Sequence, residues 1–526
     1  MDTSASSSSD VRPIAKSLDP PPHSAQQTVP RKLAVLSALA MLMFLSSLSL
    51  TSVTSITAKL GYKLHNQSLD SWITTTYLVA FTAIIPSVGK LSDVFGRRWP
   101  LAGFSTLFLV GSIICGAAGK MNTMLAGRAV AGIGGGGLFT LTVIIASDLA
   151  RPRQRTRLLG VLGAAWALGI GAGPAVAGNL LRHNWRWLFY MNAFILVFAL
   201  ALAYLAMGAA TPARSANLWH VDYVGMVLMA GCVTALVLAL NYGGDLYAWS
   251  SGVVIALLIL AAVLFGAFGY YEAKFAKDPI FPAGLLRSTN ARIIVAMQPF
   301  IGIAVYCPVF YVAKWSEIVK NESPATAGSH LIAFMLAAMA TSIASGVSTS
   351  FTGEYKFQIA VSAVLLTVGN GLMLEYKESI SNGAQIGFLI ILGIGAGFTM
   401  PTHVTCIQSA MDTADMAAAT SSLFLFQFFG AAIGIALYSI INEAVLIAKL
   451  ATVALQHVIY SKYILMSADN IQVIRLPEIS ATVRDAVIHA NVQAMHSTFI
   501  AGVIFACAAV PLSLLIKHKL ISKDAL

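Results

Sequence analysis

The string GKLSDVFGRRW, residues 89–99, sets Lys90, Asp93, Arg97 and Arg98 between two long apolar runs in a chain that is only 10% charged. The chemistry open to such a string is electrostatic. Asp93 can pair with Arg97 or cap the helix that follows. Gly89 permits close helix approach, and Gly96 permits a backbone conformation closed to residues with a side chain. Other residues capable of chemistry lie in or beside apolar runs: Arg128, Asp148, His403 in MPTHVTC, and Glu443. A buried arginine is costly unless it is paired or faces water, so Arg128 reads as functional. His403 is a side chain that can titrate near neutral pH and carry a proton, or else a hydrogen-bonded packing residue. Cys115, Cys232, Cys307, Cys406 and Cys507 sit in apolar stretches with no CxxC and no ligand spacing, so inert thiols and no metal are expected. GIGGGG contains G-x-G-x-x-G at Gly132, Gly134 and Gly137, but it follows a helical run with no strand, and no phosphate-cradling G-x-x-x-x-G-K-S/T occurs. Those glycines read as helix-packing residues. No cofactor and no enzymatic activity are expected.

The elements that must position these residues are membrane helices. At 57% hydrophobic and a mean hydropathy of +0.77, the chain has far less charge than the usual ~25% of a soluble protein. Fourteen apolar spans are expected near 33–55, 71–89, 99–118, 122–147, 157–180, 187–208, 221–242, 250–271, 289–312, 326–348, 357–375, 384–406, 416–441 and 497–516. Residues 1–31 read as a disordered Ser- and Pro-rich tail, and no cleavable signal peptide is expected. The net charge of +11 comes from basic residues scattered in short loops, which points to membrane position rather than nucleic acid. Their bias puts both termini in the cytosol. The sequons at Asn66 and Asn321 then fall on the outer side, as expected of a glycoprotein. The long outer loop 442–496 has amphipathic stretches, such as 480–495, that either lie on the membrane surface or cap the outer mouth.

An internal repeat is visible as well. Gly346 and Gly353 in SGVSTSFTGEYKF repeat the spacing of Gly89 and Gly96, with Ser350 where Asp93 stands. An all-α polytopic protein with two six-helix bundles and two inserted helices follows, a plan shared by one large transporter class. The expected division is 32–208, a two-helix linker 209–288, 289–516, and a cytosolic tail 517–526.

GKLSDVFGRR resembles the cytoplasmic loop motif of the major facilitator superfamily, G-x-L-x-D-x-x-G-R-R, at Gly89, Leu91, Asp93, Gly96, Arg97 and Arg98. LAGRAVAGIGGGG is similar to its fourth-helix signature, which contains Arg128. ALGIGAGPAVAG is similar to its fifth-helix antiporter motif at Gly169, Gly173, Pro174 and Gly178, and NWRWLFYMN to a sixth-helix entry of fungal fourteen-helix drug:proton antiporters. The resemblance implies that Asp93, Arg97 and Asp148 form a charge network closing the cytoplasmic gate, and that the fifth-helix motif goes with export. The chain departs from the pattern in three places: Ala177 replaces the first glycine of the motif's closing Gly-Gly, Ser49 stands where the first helix usually carries Asp, and Gln427 where helix 13 usually carries Arg.

An efflux transporter of small organic molecules at the plasma membrane is therefore expected, running by proton antiport with another carrier or as a facilitator driven by the cargo's own gradient. Trp72, Tyr77, Trp166, Asn192, Gln298, Tyr306 and Gln427 are expected to line its cavity, which suits an amphiphilic cargo; Arg128 would suit an anionic one. A monomer with no nucleic-acid partner is expected. The alternatives are a vacuolar transporter of basic amino acids and a non-transporting membrane sensor.

Overall fold

The computed structural model describes residues 29–521 apart from 54–55, 67–68, 70–71, 208–221, 244–246, 277–278 and 469–470. Most of the expected N-terminal tail, the start of the linker, Gln67 and Ser68 of the first sequon, and the last five residues of the C-terminal tail lie outside the described residues. In chain order the helices are α1 (Val29–Thr51), α2 (Thr57–Lys63), α3 (Trp72–Phe95), α4 (Arg98–Ala117), α5 (Met121–Asp148), α6 (Pro152–His183), α7 (Arg186–Met207), α8 (Tyr223–Tyr242), α9 (Gly252–Lys274), α10 (Ala283–Arg287), α11 (Thr289–Val319), α12 (Pro324–Thr352), α13 (Lys356–Leu372), α14 (Asn382–Ser409), α15 (Met416–Gln456), α16 (Ser461–Met466) and α17 (Ala481–Leu515). Fourteen of them are long and apolar enough to cross a membrane, as a chain that must satisfy its backbone without water requires. Side chains of Asp222, Ser251, Ser288, Ser323, Ser381 and Ser480 cap the first turns of α8, α9, α11, α12, α14 and α17.

The first six spanning helices pack into one bundle and the last six into a second, joined where α6 meets α12 and α3 meets α15. The inserted pair α8 and α9 packs on itself, and α8 lies against α3 and α15. Most of α9 is exposed, with Ile259, Val263 and Phe265 facing outward. An even number of crossings puts the start of α1 and the end of α17 on one face, here called the terminal face; the opposite one is the distal face.

The glycines of GIGGGG seat α5 between two neighbours. A side chain at Gly132 would meet the Tyr77 carbonyl on α3 at 2.6 Å, and one at Gly136 the Phe81 carbonyl. On the other face, Gly134 lies against Phe104 and Phe108 of α4. The repeated turns also match in backbone: Gly96 and Gly353 have φ values of 75° and 76°, the left-handed region that favours glycine.

The segment 442–496 is not the loop expected from the sequence. Helix α15 runs for 41 residues and α17 for 35, so α15 is about 60 Å long at 1.5 Å per residue, twice the ~30 Å hydrocarbon core. The amphipathic stretch 480–495 caps and begins α17. Its Val483, Val487, Ala490 and Ala494 pack with Leu446, Leu450 and Ala454 of α15 and with Ile464, Ile474 and Ile479. Apolar residues at three- and four-residue intervals on both helices of this hairpin give each a partner face beyond the membrane, and that partner removes the reason to lie on the lipid surface.

Gly134→Ala is expected to cost about 1–3 kcal/mol through overpacking, because its Cβ would sit 2.7 Å from the Phe104 carbonyl oxygen. Gly103→Ala on α4, where a Cβ meets open space, should leave the thermal midpoint of the detergent-solubilised protein unchanged or slightly raised.

Candidate functional site

The charge cluster at the terminal face is built from the turn between α3 and α4. Gly96 reverses the chain so that Arg97 points back along α3 and across to the end of α5. Its Nη1 donates to Asp93 Oδ1 at 2.7 Å and to Ser92 Oγ at 2.7 Å, while Nε donates to Asp148 Oδ2 at 2.7 Å. Burial works against the Arg97 charge, yet Asp148 and then Asp93 hold its pKa above the usual guanidinium range. Arg98 stands apart from this fork, stacked over Tyr204 with its Cζ 4.8 Å from the ring centre. Beside Asp148, Ser147 Oγ accepts from Gln408 Nε2 of α14 at 2.9 Å. Gly89 lets α3 approach α15 so closely that a Cβ there would be 2.7 Å from the Ala417 carbonyl oxygen. The cluster thus adjoins the seam between the two bundles.

Arg128 is fully buried in the first bundle and has no carboxylate among its described partners. Its Nε donates to the Ile73 carbonyl at 2.9 Å, and Nη1 to the Ser49 carbonyl at 3.1 Å and Ser49 Oγ at 3.3 Å. Its Cζ lies 4.2 Å from the centre of the Tyr77 ring. Nη2 has no hydrogen-bond partner among the described residues. Ser49, at the position where an acid was expected, therefore does meet Arg128, but as a neutral acceptor.

The glycine face of α6 packs on α1. Gly169 lies against Ser47 and Gly173 against Thr51; Gly178 is half-buried nearer the distal end. Pro174 has no N–H to give the Ile170 carbonyl one turn earlier. Thr51 Oγ1 donates to that carbonyl instead, at 3.0 Å. Pro308 on α11 repeats the arrangement: the Ala304 carbonyl it frees accepts from Asn370 Nδ2 of α13 at 3.0 Å. Nothing in the sequence assigned these roles to Thr51 or Asn370, although a proline inside a buried span signals that some neighbour must supply a donor.

Between the bundles lies a small cavity of about 60 Å³, lined by Trp166, Tyr306 and Gln427 with apolar side chains and the hydroxyls of Ser342 and Thr399. None of its lining residues is charged. At roughly 30 Å³ per water molecule it is far too small for a drug-sized molecule, because aromatic rings fill the centre. Phe139 sits 4.5 Å from Trp166 and 4.6 Å from Phe424, and Phe428 5.0 Å from Phe81, measured between ring centroids. Sequence reasoning missed Phe81, Phe139, Phe424 and Phe428; with 26 phenylalanines in the chain, no spacing marks those that face inward.

Trp166, Tyr306 and Gln427 are thus at the cavity, and the other expected lining residues are elsewhere. Trp72 packs against Tyr242 of α8 with ring centroids 4.5 Å apart and planes tilted by 44°, and Tyr77 covers Arg128. Asn192 is buried on α7 with Oδ1 unpartnered among the described residues. Gln298 Nε2 lies 3.0 Å from His403 Nδ1. His403 is one helical turn from the lining residues Thr399 and Met400, and its Nε2 has no partner among the described residues. Glu443 is half-buried where α15 leaves the second bundle. Asn66 is half-buried, and Asn321 is exposed at the distal face with a φ of 57°.

Two bundles of membrane helices meeting on an apolar cavity, with an ion-paired turn at one face, are the plan of the membrane-transporter class. The profile of the Major Facilitator Superfamily matches residues 39–435, and the chain belongs to that family. It is 29% identical over 384 residues to MFS transporter L2 of Phoma sp., covering 72% of this chain and 64% of that protein. It is also 29% identical to efflux pump aflT of Aspergillus parasiticus, over 70% of this chain and 74% of that one. The fold is similar to that of the human organic anion transporter MFSD10, with a TM-score of 0.58 and 13% identity over 90% of this chain and 99% of that one.

Ser49→Asp is expected to place a carboxylate against Arg128 and raise stability by about 1–3 kcal/mol, the value of a charged hydrogen bond, seen as a higher thermal midpoint in detergent. An unchanged or lower midpoint would mean that Arg128 is already satisfied. Thr51→Val should lose about 1–3 kcal/mol by leaving the Ile170 carbonyl without a donor, whereas Thr51→Ser should keep most of it.

Proposed function

We propose that this protein exports small, uncharged, largely aromatic organic molecules across the plasma membrane by alternating access. The observation that carries this reading is the cavity lining: aromatic and aliphatic side chains, three hydroxyls (Ser342, Thr399 and Tyr306) and one amide, with no fixed charge. A cationic amino acid would find no carboxylate there, which weighs against the vacuolar reading. An anion would find no base, since Arg128 is enclosed among Ser49, Ile73 and Tyr77 away from the lining. Export as the direction is supported by the name of the Aspergillus parasiticus relative and by the Gly169–Gly178 face of α6.

In this reading the terminal face is cytosolic, 32–208 and 289–516 are the moving units, 209–288 links them, and the chain works as a monomer. The Asp93–Arg97–Asp148 fork holds the cytosolic side closed, and a latch of a few kcal/mol suffices to bias two states. For proton antiport the carrier is His403, the imidazole beneath the cavity. A facilitator is the second reading, favoured by the neutral Ser49 beside Arg128. Addition of a protonophore separates them: export by an antiporter stops, and export by a facilitator continues.

Deleting the gene in its native host and profiling cells and medium tests the direction and the cargo together. An uncharged aromatic compound should leave the medium and accumulate inside the cells. Loss of vacuolar arginine and lysine with an unchanged medium would overturn the proposal. For the compound so identified, Trp166→Ala should weaken binding roughly tenfold, as expected for the loss of a ring pair and its buried area.

A further inference from the structure

The chain does not leave the membrane freely after α17. Ile516 is fully buried and Ile521 nearly so, and the segment between them runs across the terminal face of the second bundle. Asn290 at the start of α11 grips it like a ladder partner: its Oδ1 accepts from the Lys517 N–H at 2.8 Å and its Nδ2 donates to the Lys517 carbonyl at 3.0 Å. Lys519 Nζ donates to the Ser409 carbonyl at the end of α14, at 2.8 Å. His518 Nδ1 lies 3.7 Å from Glu354 in the turn after α12. Ile521 N–H then donates to the Gly353 carbonyl at 3.0 Å.

Every one of these partners belongs to the second bundle. The exception is Arg153, in the first turn of α6 and thus in the first bundle. Its Nε donates to the Ile521 carbonyl at 3.0 Å and its Nη1 to the Phe351 carbonyl at 3.1 Å. Gly353, whose φ of 76° favours glycine, also leaves room for this fork, since a Cβ there would stand 2.6 Å from Arg153 Nη2. One guanidinium therefore ties the first bundle at once to the end of α12 and to the C-terminal segment. The planar fork suits two carbonyls, a geometry that a lysine ammonium does not supply.

We propose that residues 516–521 form a strap which Arg153 clamps to the first bundle, a second closure of the terminal face that must release for that face to open. The proposal rests on the alternating-access reading above and adds to the Arg97 fork, which lies beside the α3–α15 contact, a second device on the same face at the α6–α12 contact. Arg97 braces α3 against α5 within the first bundle, one turn from where Gly89 seats α3 on α15, and so acts on the seam through that contact; Arg153 crosses between bundles directly. The two act on the same equilibrium, and release of either moves it toward the state open at the terminal face.

The test uses the full chain with its five cysteines replaced and a reporter cysteine at Ser421, which is fully buried against Gly89 at the seam. A membrane-impermeant maleimide applied to the terminal face reads how often the seam opens, with no need for a known cargo. Arg153→Gln, and separately a stop after Leu520, should each speed labelling about tenfold, as expected for the loss of charge-assisted hydrogen bonds; Arg97→Gln serves as the reference. If Arg97→Gln speeds labelling and neither strap variant does, the strap is overturned and alternating access stands. If none of the three changes the rate, alternating access at this seam fails and the strap fails with it. Arg153→Gln keeps the whole segment, so the test survives a truncated chain that does not fold.

Discussion

The seam where α6 crosses α12 constrains everything else in this molecule. Small residues bring the two helices together along almost their whole length. A Cβ on Gly160 would stand 2.6 Å from the Ser342 carbonyl oxygen, Gly171 lies against Met335, and Gly328 lies against Pro174. Ser342 Oγ donates to the Gly160 carbonyl at 3.0 Å, and Thr156 Oγ1 to the Gly346 carbonyl at 3.0 Å. Lipid gives no hydrophobic drive for helices to associate, so such backbone approach and hydroxyl bonding must supply the attraction. The aromatic cavity lies beside this seam, and the Arg153 fork sits at its terminal end.

A second constraint follows from the absence of water. Each backbone carbonyl freed by a proline and each buried charge needs a donor or acceptor from a neighbouring helix. Thr51 answers Pro174, Asn370 answers Pro308, and Ser49 answers Arg128. Each of these bonds links two helices of one bundle, so it stiffens that bundle without tying it to the other. Rigid bundles are what rocking requires, and the cavity between them stays free of fixed charge.

Much of this architecture was legible in the sequence. Apolar runs of about 20 residues gave the helices, and the spacing of Gly89 and Gly96, repeated at Gly346 and Gly353, gave the matching turns. Asp93 and Arg97 were readable as a pair from their place in one short charged turn, whereas Asp148 joined them only through the resemblance to the family's loop motif. The lining was not. Trp166, Tyr306 and Gln427 were named among seven residues of which the others pack elsewhere, because which face of a buried helix meets a cavity depends on partners distant in sequence. The hairpin of α15 and α17 was hidden for a related reason: hydropathy marks where the lipid ends, whereas a helix continues as long as a partner covers its apolar face. The strap was invisible, since all but one of its bonds end on a main-chain group, and nothing in the sequence says which carbonyl Arg153, Asn290 or Lys519 will meet.

The central claim is an uncharged path for an uncharged aromatic cargo, and ligand binding to the purified protein tests it most directly. Quenching of tryptophan fluorescence can be titrated with one polycyclic aromatic scaffold as its neutral alcohol, its carboxylate and its ammonium derivative, with Trp166→Phe to assign the signal. The account predicts that the neutral form binds and that both ions bind at least about tenfold more weakly, since ions lose solvation in a site that offers no opposite charge. Equal or tighter binding of the carboxylate would contradict it and put Arg128 on the path of the cargo.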